Sequence, residues 1–334
     1  MKIAFLTTRP SKPSYRFRIE QMLPYFGARG HQCDTFFLPT NAWRRFLMYR
    51  KLGPYDAVVL QKRLLGRLEL FALRSIASRL VYDVDDAVMC TSRGDDHPRR
   101  RDRFDATMRA ADLVVCGNQF LADEAFRSTD RVLIVPTCIN TDAYRPGLRA
   151  GGSHGLTIGW TGSRSTNGYL NDIFHVLSQL HGPVQLKIIS DTVEGFDFSR
   201  LGHVPHVFVS WSPKTEVLEA ATFDLGLMPL PDNRWTQGKC GFKALQYMAL
   251  GTPAVCSPVG VNRDIIHDGV DGFFAATLND WFPVVARLLK DSFLRESIGR
   301  AGRRRVEEAF SLATHGPRFV QAIEKTAGTL RKSA

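Results

Sequence analysis

Strand-like and helix-like segments alternate along the whole chain, and this alternation restricts the fold more than any composition value does. Apolar runs at residues 2–8, 31–38, 56–60, 80–84, 112–116 and 131–135 read as strands, with helical spacing of apolar residues at 15–29, 64–79 and 119–126 between them. A breaker-rich stretch at 144–155, holding Pro146, Gly147, Gly151, Gly152 and Gly155, reads as a linker. The pattern then restarts with strands at 156–160, 184–190, 206–211, 223–228 and 254–256, helices at 169–180 and 242–250, and long helical periodicity over 281–310 and 311–330. Buried strands that alternate with helices build parallel sheets covered on both faces, because each crossover lays a helix on the sheet. The expectation is an α/β chain of two Rossmann-like domains, 1–150 and 151–310, with parallel sheets facing across a cleft and a C-terminal helix at 311–334 packing back on the first.

The length of 334 residues supports that division, since single cores stop growing near ~250–300 residues. With 44% hydrophobic and 23% charged residues the chain is neither disordered nor fibrous, and no stretch approaches the ~18 apolar residues of a membrane span. The six cysteines, Cys33, Cys90, Cys116, Cys138, Cys240 and Cys256, show no C-x-x-C pair and no metal-like spacing with histidine. With an N-terminal apolar run too short for a signal peptide, they point to a reduced, cytoplasmic setting. The net charge of +11 is uneven: residues 1–150 hold 25 Lys and Arg against 16 Asp and Glu, and the remainder 19 against 17. A basic first half faces nucleic acid, an anionic membrane surface or an acidic acceptor, and charge alone does not choose. No stacking or groove-reading module supports nucleic acid.

The segment from Gly238 to Gly260 reads as a glycine-flanked loop, a helix at 242–250, a Gly251-Thr252-Pro253 stop and a short strand. Glycine and lysine at a helix start suit phosphate, because free N–H groups, the helix dipole and an ammonium converge there. Lys243, Gln246 and Tyr247 share one helix face. One reading puts Lys243 on a phosphate and Gln246 on ribose hydroxyls; the other is a solvated helix face with an incidental lysine.

Taken in series, Asp224-Leu-Gly-Leu-Met-Pro229, Gly238-Lys-Cys-Gly-Phe-Lys243, Gln246-Tyr-Met-Ala-Leu-Gly-Thr-Pro253, Ser257-Pro-Val-Gly260 and Asp268-Gly-Val-Asp-Gly272 resemble the sugar-nucleotide site of glycosyltransferase family 4, the group 1 type of the GT-B superfamily. Asn118, Val135-Pro136 with Asn140, Tyr144 and Pro146, and Gly159-Trp-Thr-Gly162-Ser163 extend the likeness over most of the chain. The resemblance implies a transferase moving a sugar from a nucleoside-diphosphate sugar to an acceptor hydroxyl in glycan, polysaccharide or glycolipid synthesis, with retention of configuration and neither metal nor further cofactor. Many members carry two glutamates separated by seven residues, and here those positions are Gly238 and Gln246.

The implied diphosphate residues are Gly162, Ser163 and Arg164 at one strand-to-helix turn and Lys239, Gly241 and Lys243 at the other. Lys243 is assigned the catalytic task of neutralising charge on the leaving diphosphate. Gln246, Trp211 and Glu216 fall where relatives hold ribose and base. Asp85 and Asp86, at a strand end where relatives carry a cleft His-Asp, are expected to orient the acceptor or act as base. The alternative for Tyr82-Asp83-Val-Asp85-Asp86 is a D-x-D cation site or plain strand-end caps. Arg16 and Arg18 are expected to meet phosphate on donor or acceptor. The run 43–51 reads as an interfacial helix for a lipid-linked acceptor or as an ordinary amphipathic one. Rival functions are a sugar-nucleotide-binding protein without turnover and a nucleotide-sugar epimerase on the same fold.

Overall fold

A computed structural model describes residues 1–148 and 155–328; residues 149–154 of the expected linker and 329–334 of the expected C-terminal segment lie outside them. The chain divides into two compact units, Met1–Cys138 with Asn233–Cys240 and Leu312–Ala334, and Ile139–Asp232 with Gly241–Ser311. Residues 233–240 thus group with the first unit although they stand late in the sequence.

The first unit holds strands β1 (Lys2–Thr7), β2 (Gln32–Phe37), β3 (Ala57–Gln61), β4 (Leu80–Val84), β5 (Leu113–Cys116) and β6 (Val132–Ile134). They pair in the order β2-β1-β3-β4-β5-β6, all parallel, with Ile3 opposite both Cys33 and Ala57. Successive residues point to opposite faces and both faces are buried, which is why these strands read as continuous apolar runs. Ala4, Leu6, Val58, Leu60, Leu80 and Tyr82 meet helices Ala42–Tyr49, Arg67–Ile76 and Pro98–Ala110 on one face. Ile3, Phe5, Val59, Val81 and Val115 meet Phe26, Phe319, Val320 and Ile323 on the other. The last three belong to helix Leu312–Gly328, and each fully buried side chain of this size contributes about 1.5–3 kcal/mol.

The second unit repeats the plan with β7 (Leu156–Thr161), β8 (Val184–Ser190), β9 (His206–Ser210), β10 (Leu225–Met228), β11 (Ala254–Cys256) and β12 (Phe273–Phe274), ordered β12-β11-β10-β7-β8-β9 and parallel throughout. Ile158, Trp160, Leu186, Ile188 and Leu227 pack under Leu170, Phe174, Trp281 and Val285. Ile189, Met228, Ala254 and Cys256 pack under Ala244, Leu245, Tyr247 and Val306. Both sheets are doubly wound, as the alternation of segments required.

Some elements differ from the sequence expectation. The helix expected over 15–29 breaks into Pro13–Arg18, a 3-10 turn at Glu20–Met22 and Leu23–Ala28. Pro24 has no N–H to donate and clashes with a preceding turn, so it sits in the first turn of a new helix. The periodicity over 281–310 is two helices, Leu278–Lys290 and Ser292–Ala309, divided at Asp291, whose carboxylate caps the second by accepting from the Leu294 N–H at 2.9 Å. Helix Pro98–Ala110 was not among the expected elements, because just Phe104, Thr107 and Met108 of its thirteen residues are buried.

Since all strands of a sheet run parallel, their carboxyl ends share one edge, where open α/β sheets bind ligands. Lys62, Asp85 and Gly117 follow β3, β4 and β5 on that edge of the first unit. Gly162, Asp191 and Trp211 follow β7, β8 and β9 in the second.

Candidate functional site

In the second unit, helix Phe242–Ala249 starts at Gly241, which has φ of 65° and leaves no room for a Cβ, the Ile265 Cδ1 lying 2.2 Å from where one would stand. Only glycine meets both conditions. The helix is pinned to the sheet by Tyr247, whose hydroxyl accepts from the Thr161 N–H at 3.0 Å and donates to the Leu227 carbonyl at 3.2 Å. Lys243 therefore stands in the first turn at the ligand edge, its ammonium 5.2 Å from the centroid of the Trp160 ring. An aromatic face beneath an ammonium steadies it without neutralising its charge, so it still attracts an anion.

One turn further on, the expected ribose and base residues meet in one buried network. The Gln246 amide donates to the Tyr144 hydroxyl at 3.1 Å, Tyr144 donates to Glu216 Oε1 at 3.1 Å, and the Trp211 indole N–H donates to Glu216 Oε2 at 2.7 Å. Gln246, Tyr144 and Glu216 are all buried. A buried carboxylate is tolerated only when such donors replace its water, so the network fixes the shape of this wall. Tyr144 uses one of the donors of Gln246, whose amide group offers a second donor and an acceptor. The linking role of Tyr144 was not read from the sequence, where it served only to extend the family likeness, and Trp160 beneath Lys243 was likewise missed.

The turn after β7 carries the other residues expected at the diphosphate. The Gly162 N–H donates to the Ile189 carbonyl at 2.9 Å, the Ser163 N–H to Thr166 Oγ1 at 3.3 Å and the Arg164 N–H to Asp191 Oδ1 at 2.8 Å. The N–H groups meant for a phosphate are satisfied internally, because Ser163 and Thr166 form a reciprocal cap and Asp191 supplies its own carboxylate. The Arg164 guanidinium pairs with Glu194 at 2.7 Å on the surface, where such a pair contributes little.

In the first unit the three aspartates at the end of β4 divide. Asp83 and Arg18 are almost wholly buried and paired at 2.5 and 3.3 Å, and Arg18 also donates to the Val135 carbonyl at 2.6 Å. Arg18 is thus a core ion pair and not the exposed phosphate ligand its helix-start position suggested, because its helix face turns to the sheet. Arg16 is partly buried, its guanidinium carbon 4.9 Å from the centroid of the Phe17 ring. Asp86 takes a hydrogen bond from the Lys62 ammonium, which also lies 3.5 Å from Asp85 Oδ1. Burial pushes the Asp85 carboxyl up from its ordinary range; Lys62 and Arg18 oppose that, and Asp86 and Asp83 add to it.

Segment Asn233–Cys240 closes over this edge of the first unit. The Asn118 side chain accepts from the Leu121 N–H at 2.9 Å, starting helix Gln119–Phe126, and donates to the carbonyls of Gln237 and Lys239 at 3.2 and 2.8 Å. Lys239 lies 3.9 Å from Asp86 Oδ1 and 4.9 Å from the centroid of the Trp235 ring, so its ammonium joins the carboxylates. The Cys240 thiol donates to the Asp85 carbonyl at 3.2 Å, and burial pushes it up to about 12, far from a thiolate at neutral pH. Gly238, where many relatives carry a glutamate, is packed so that a Cβ would stand 2.6 Å from the Ala87 Cβ and 2.7 Å from the Ala87 nitrogen. The backbone of Ala87 occupies the space a carboxylate side chain would leave through.

Two doubly wound units of six parallel strands each, with a lysine-bearing helix start at the ligand edge of the second, define a protein of the GT-B fold. Residues 170–291, a segment that contains Trp211, Glu216, Lys243 and Gln246, match the family described as Glycosyl transferases group 1. Among solved structures it is similar to sucrose-phosphate synthase from Thermosynechococcus elongatus, at 14% identity and a TM-score of 0.80 over 97% of this chain and 98% of that one. It is similar to Anabaena HepE in complex with UDP and glucose, at 13% identity and a TM-score of 0.75 over 97% and 100%. A glycosyltransferase from Rickettsia africae gives 12% identity and a TM-score of 0.78 over 98% and 99%. A search of curated protein sequences finds no match. Among the described residues no helix is long and apolar enough to cross a membrane.

Proposed function

We propose that the chain transfers a sugar from a nucleoside-diphosphate sugar to an acceptor hydroxyl, with the donor held by the second unit and the acceptor by the first. The observation that carries this reading is the helix Phe242–Ala249, which presents Lys243 over Trp160 in its first turn and Gln246 in a buried network with Tyr144, Glu216 and Trp211 one turn later. An ammonium at a helix start takes a diphosphate, and a rigid polar wall beside it takes the nucleoside. As the bond from the sugar carbon to the phosphate oxygen breaks, Lys243 stabilises the charge left on the diphosphate. Retention follows from the family likeness, with the acceptor proton passing to a donor phosphate oxygen while the new glycosidic bond forms. No metal and no cofactor besides the donor enters this scheme. The related HepE complexes contain UDP and UDP-glucose, which makes UDP-sugars the first donors to try.

The acceptor is proposed to be a glycan or a lipid-linked sugar reached at the cytoplasmic face of an anionic membrane. Trp43, Leu47, Leu68 and Phe71 are exposed on helices Ala42–Tyr49 and Arg67–Ile76, beside exposed Arg44 and Arg50. Apolar side chains among cations suit a bilayer surface. The test of the donor site is Lys243→Ala assayed by titration calorimetry with UDP-glucose and other sugar nucleotides. A charged hydrogen bond of about 1.5–3 kcal/mol predicts a ten- to hundredfold loss of affinity. Unchanged binding would sink the role of Lys243. A second reading, donor binding without turnover, is favoured by the packing of Gly238 on Ala87, which excludes a family carboxylate; donor binding with no product over a broad acceptor panel would establish it.

A further inference from the structure

Lys62 occupies a place the backbone resists. Among the described residues it is the only non-glycine with positive φ, at 59°. A left-handed conformation strains an L-residue but not glycine, and such strain persists where the surroundings impose it. Here they do. The Lys62 N–H donates to the Asp83 carbonyl at 2.8 Å, and the preceding Gln61 side chain accepts from Thr7 Oγ1 and donates to the Ser14 carbonyl, both at 2.5 Å.

The result is an ammonium that bonds Asp86 and stands 3.5 Å from Asp85 Oδ1. Asp86 is also approached by Lys239, whereas Asp85 Oδ1 is closed to solvent and has no hydrogen-bond partner. The other groups facing Asp85 are Asp83 with Arg18, Tyr82 on β4 and Cys240 from the segment after Asn233. Burial works against the charged Lys62, but Asp85 and Asp86 outweigh it and hold the ammonium charged.

We propose that Lys62 is a positioning residue: its ammonium bonds Asp86 and stands beside the closed Oδ1 of Asp85, and so holds the Asp85 carboxyl with its other, partly exposed oxygen turned to accept the hydrogen bond of the acceptor hydroxyl and aim it. This rests on the sugar-transfer reading given above, and two readouts separate the failures. The first needs no ligand. A carboxyl raised in the folded state loses stability as pH rises from the ordinary carboxylate range through its folded value. Lys62→Met raises Asp85 further, so its loss of Tm relative to wild type grows as pH rises above the ordinary carboxylate range, and adding Asp85→Asn removes that growth. Lys62→Gly relieves the backbone and lacks the ammonium, so it follows Lys62→Met in pH dependence whatever its absolute Tm. Curves parallel to wild type in both variants would overturn the coupling.

The second readout is UDP release from UDP-glucose against pH, with water as acceptor. Lys62→Met moves the acid limb of kcat/KM upward by about one pH unit, and Lys62→Arg restores it. Loss by the same factor at every pH in the folded variant overturns the proposal and leaves a structural lysine. If the wild-type protein turns over no sugar nucleotide, the transfer reading fails and with it the role of Asp85 toward an acceptor, while the thermal curves still decide whether Lys62 controls Asp85.

Discussion

Gly238 separates two ideas about this chain, so its replacement is informative. A simple comparison with relatives suggests that Gly238→Glu restores a lost donor contact and raises activity. The packing predicts the reverse. At φ of −78° an L-residue is allowed, and replacing glycine by alanine there stabilises by about 0.4–1 kcal/mol through the unfolded chain. Against this, a Cβ would lie 2.6 Å from the Ala87 Cβ, 2.7 Å from its nitrogen and 3.0 Å from its Cα. Two of these are backbone atoms that no rotamer change can move, which places the cost toward the upper end of the about 1–3 kcal/mol typical of overpacking. The net expectation for Gly238→Ala is a loss of about 1–2 kcal/mol, or about 2–8 °C in Tm for a domain of this size. Gly238→Glu loses at least as much and gains no donor affinity. Differential scanning fluorimetry with and without UDP-glucose measures both. A Gly238→Ala protein as stable as wild type, or a Gly238→Glu protein binding donor more tightly, would refute the reasoning.

Breaking the buried Arg18–Asp83 pair by Arg18→Met leaves a carboxylate without its partner and costs about 3–5 kcal/mol, whereas Arg18→Met with Asp83→Leu recovers much of it; additive losses in urea denaturation would count against this pairing. Tyr144→Phe removes the link between Gln246 and Glu216 and costs about 1–3 kcal/mol of stability, together with donor affinity; an unchanged denaturation midpoint would dismiss the network as incidental. Trp43→Ser with Leu47→Ser leaves Tm unchanged, because both side chains are exposed, and lowers binding to anionic phosphatidylglycerol vesicles about tenfold or more; equal sedimentation with vesicles speaks against that surface.

The doubly wound architecture was legible because burial on both faces of a parallel sheet leaves continuous apolar runs such as Ala57–Gln61 and Leu80–Val84, which periodicity detects directly. Helix Pro98–Ala110 was not, because its buried stripe is thin among arginines. Within the site, Gln246, Trp211 and Glu216 could be grouped from motif order, but the hydroxyl of Tyr144 that joins them comes from 102 residues before Gln246, a separation that local pattern does not report. Arg18 was expected to meet a phosphate because its partner Asp83 lies 65 residues away on β4, beyond the reach of local pattern. Lys62 had one available signal, its position just after a buried strand on the ligand edge.

The last helix, Leu312–Gly328, supplies Leu312, Phe319, Val320 and Ile323 to the core of the first unit, and Asn233–Cys240 closes its ligand edge. A ribosome delivers these pieces late. At roughly 5–20 residues per second, the sheet face of Ile3, Phe5 and Val81, part-covered early by Ile19, Met22 and Phe26, waits roughly 10–40 s after Cys138 is made for the rest of its cover. During that interval the emerging chain carries a partly open apolar face prone to association, and a C-terminal truncation would leave it so for the life of the protein.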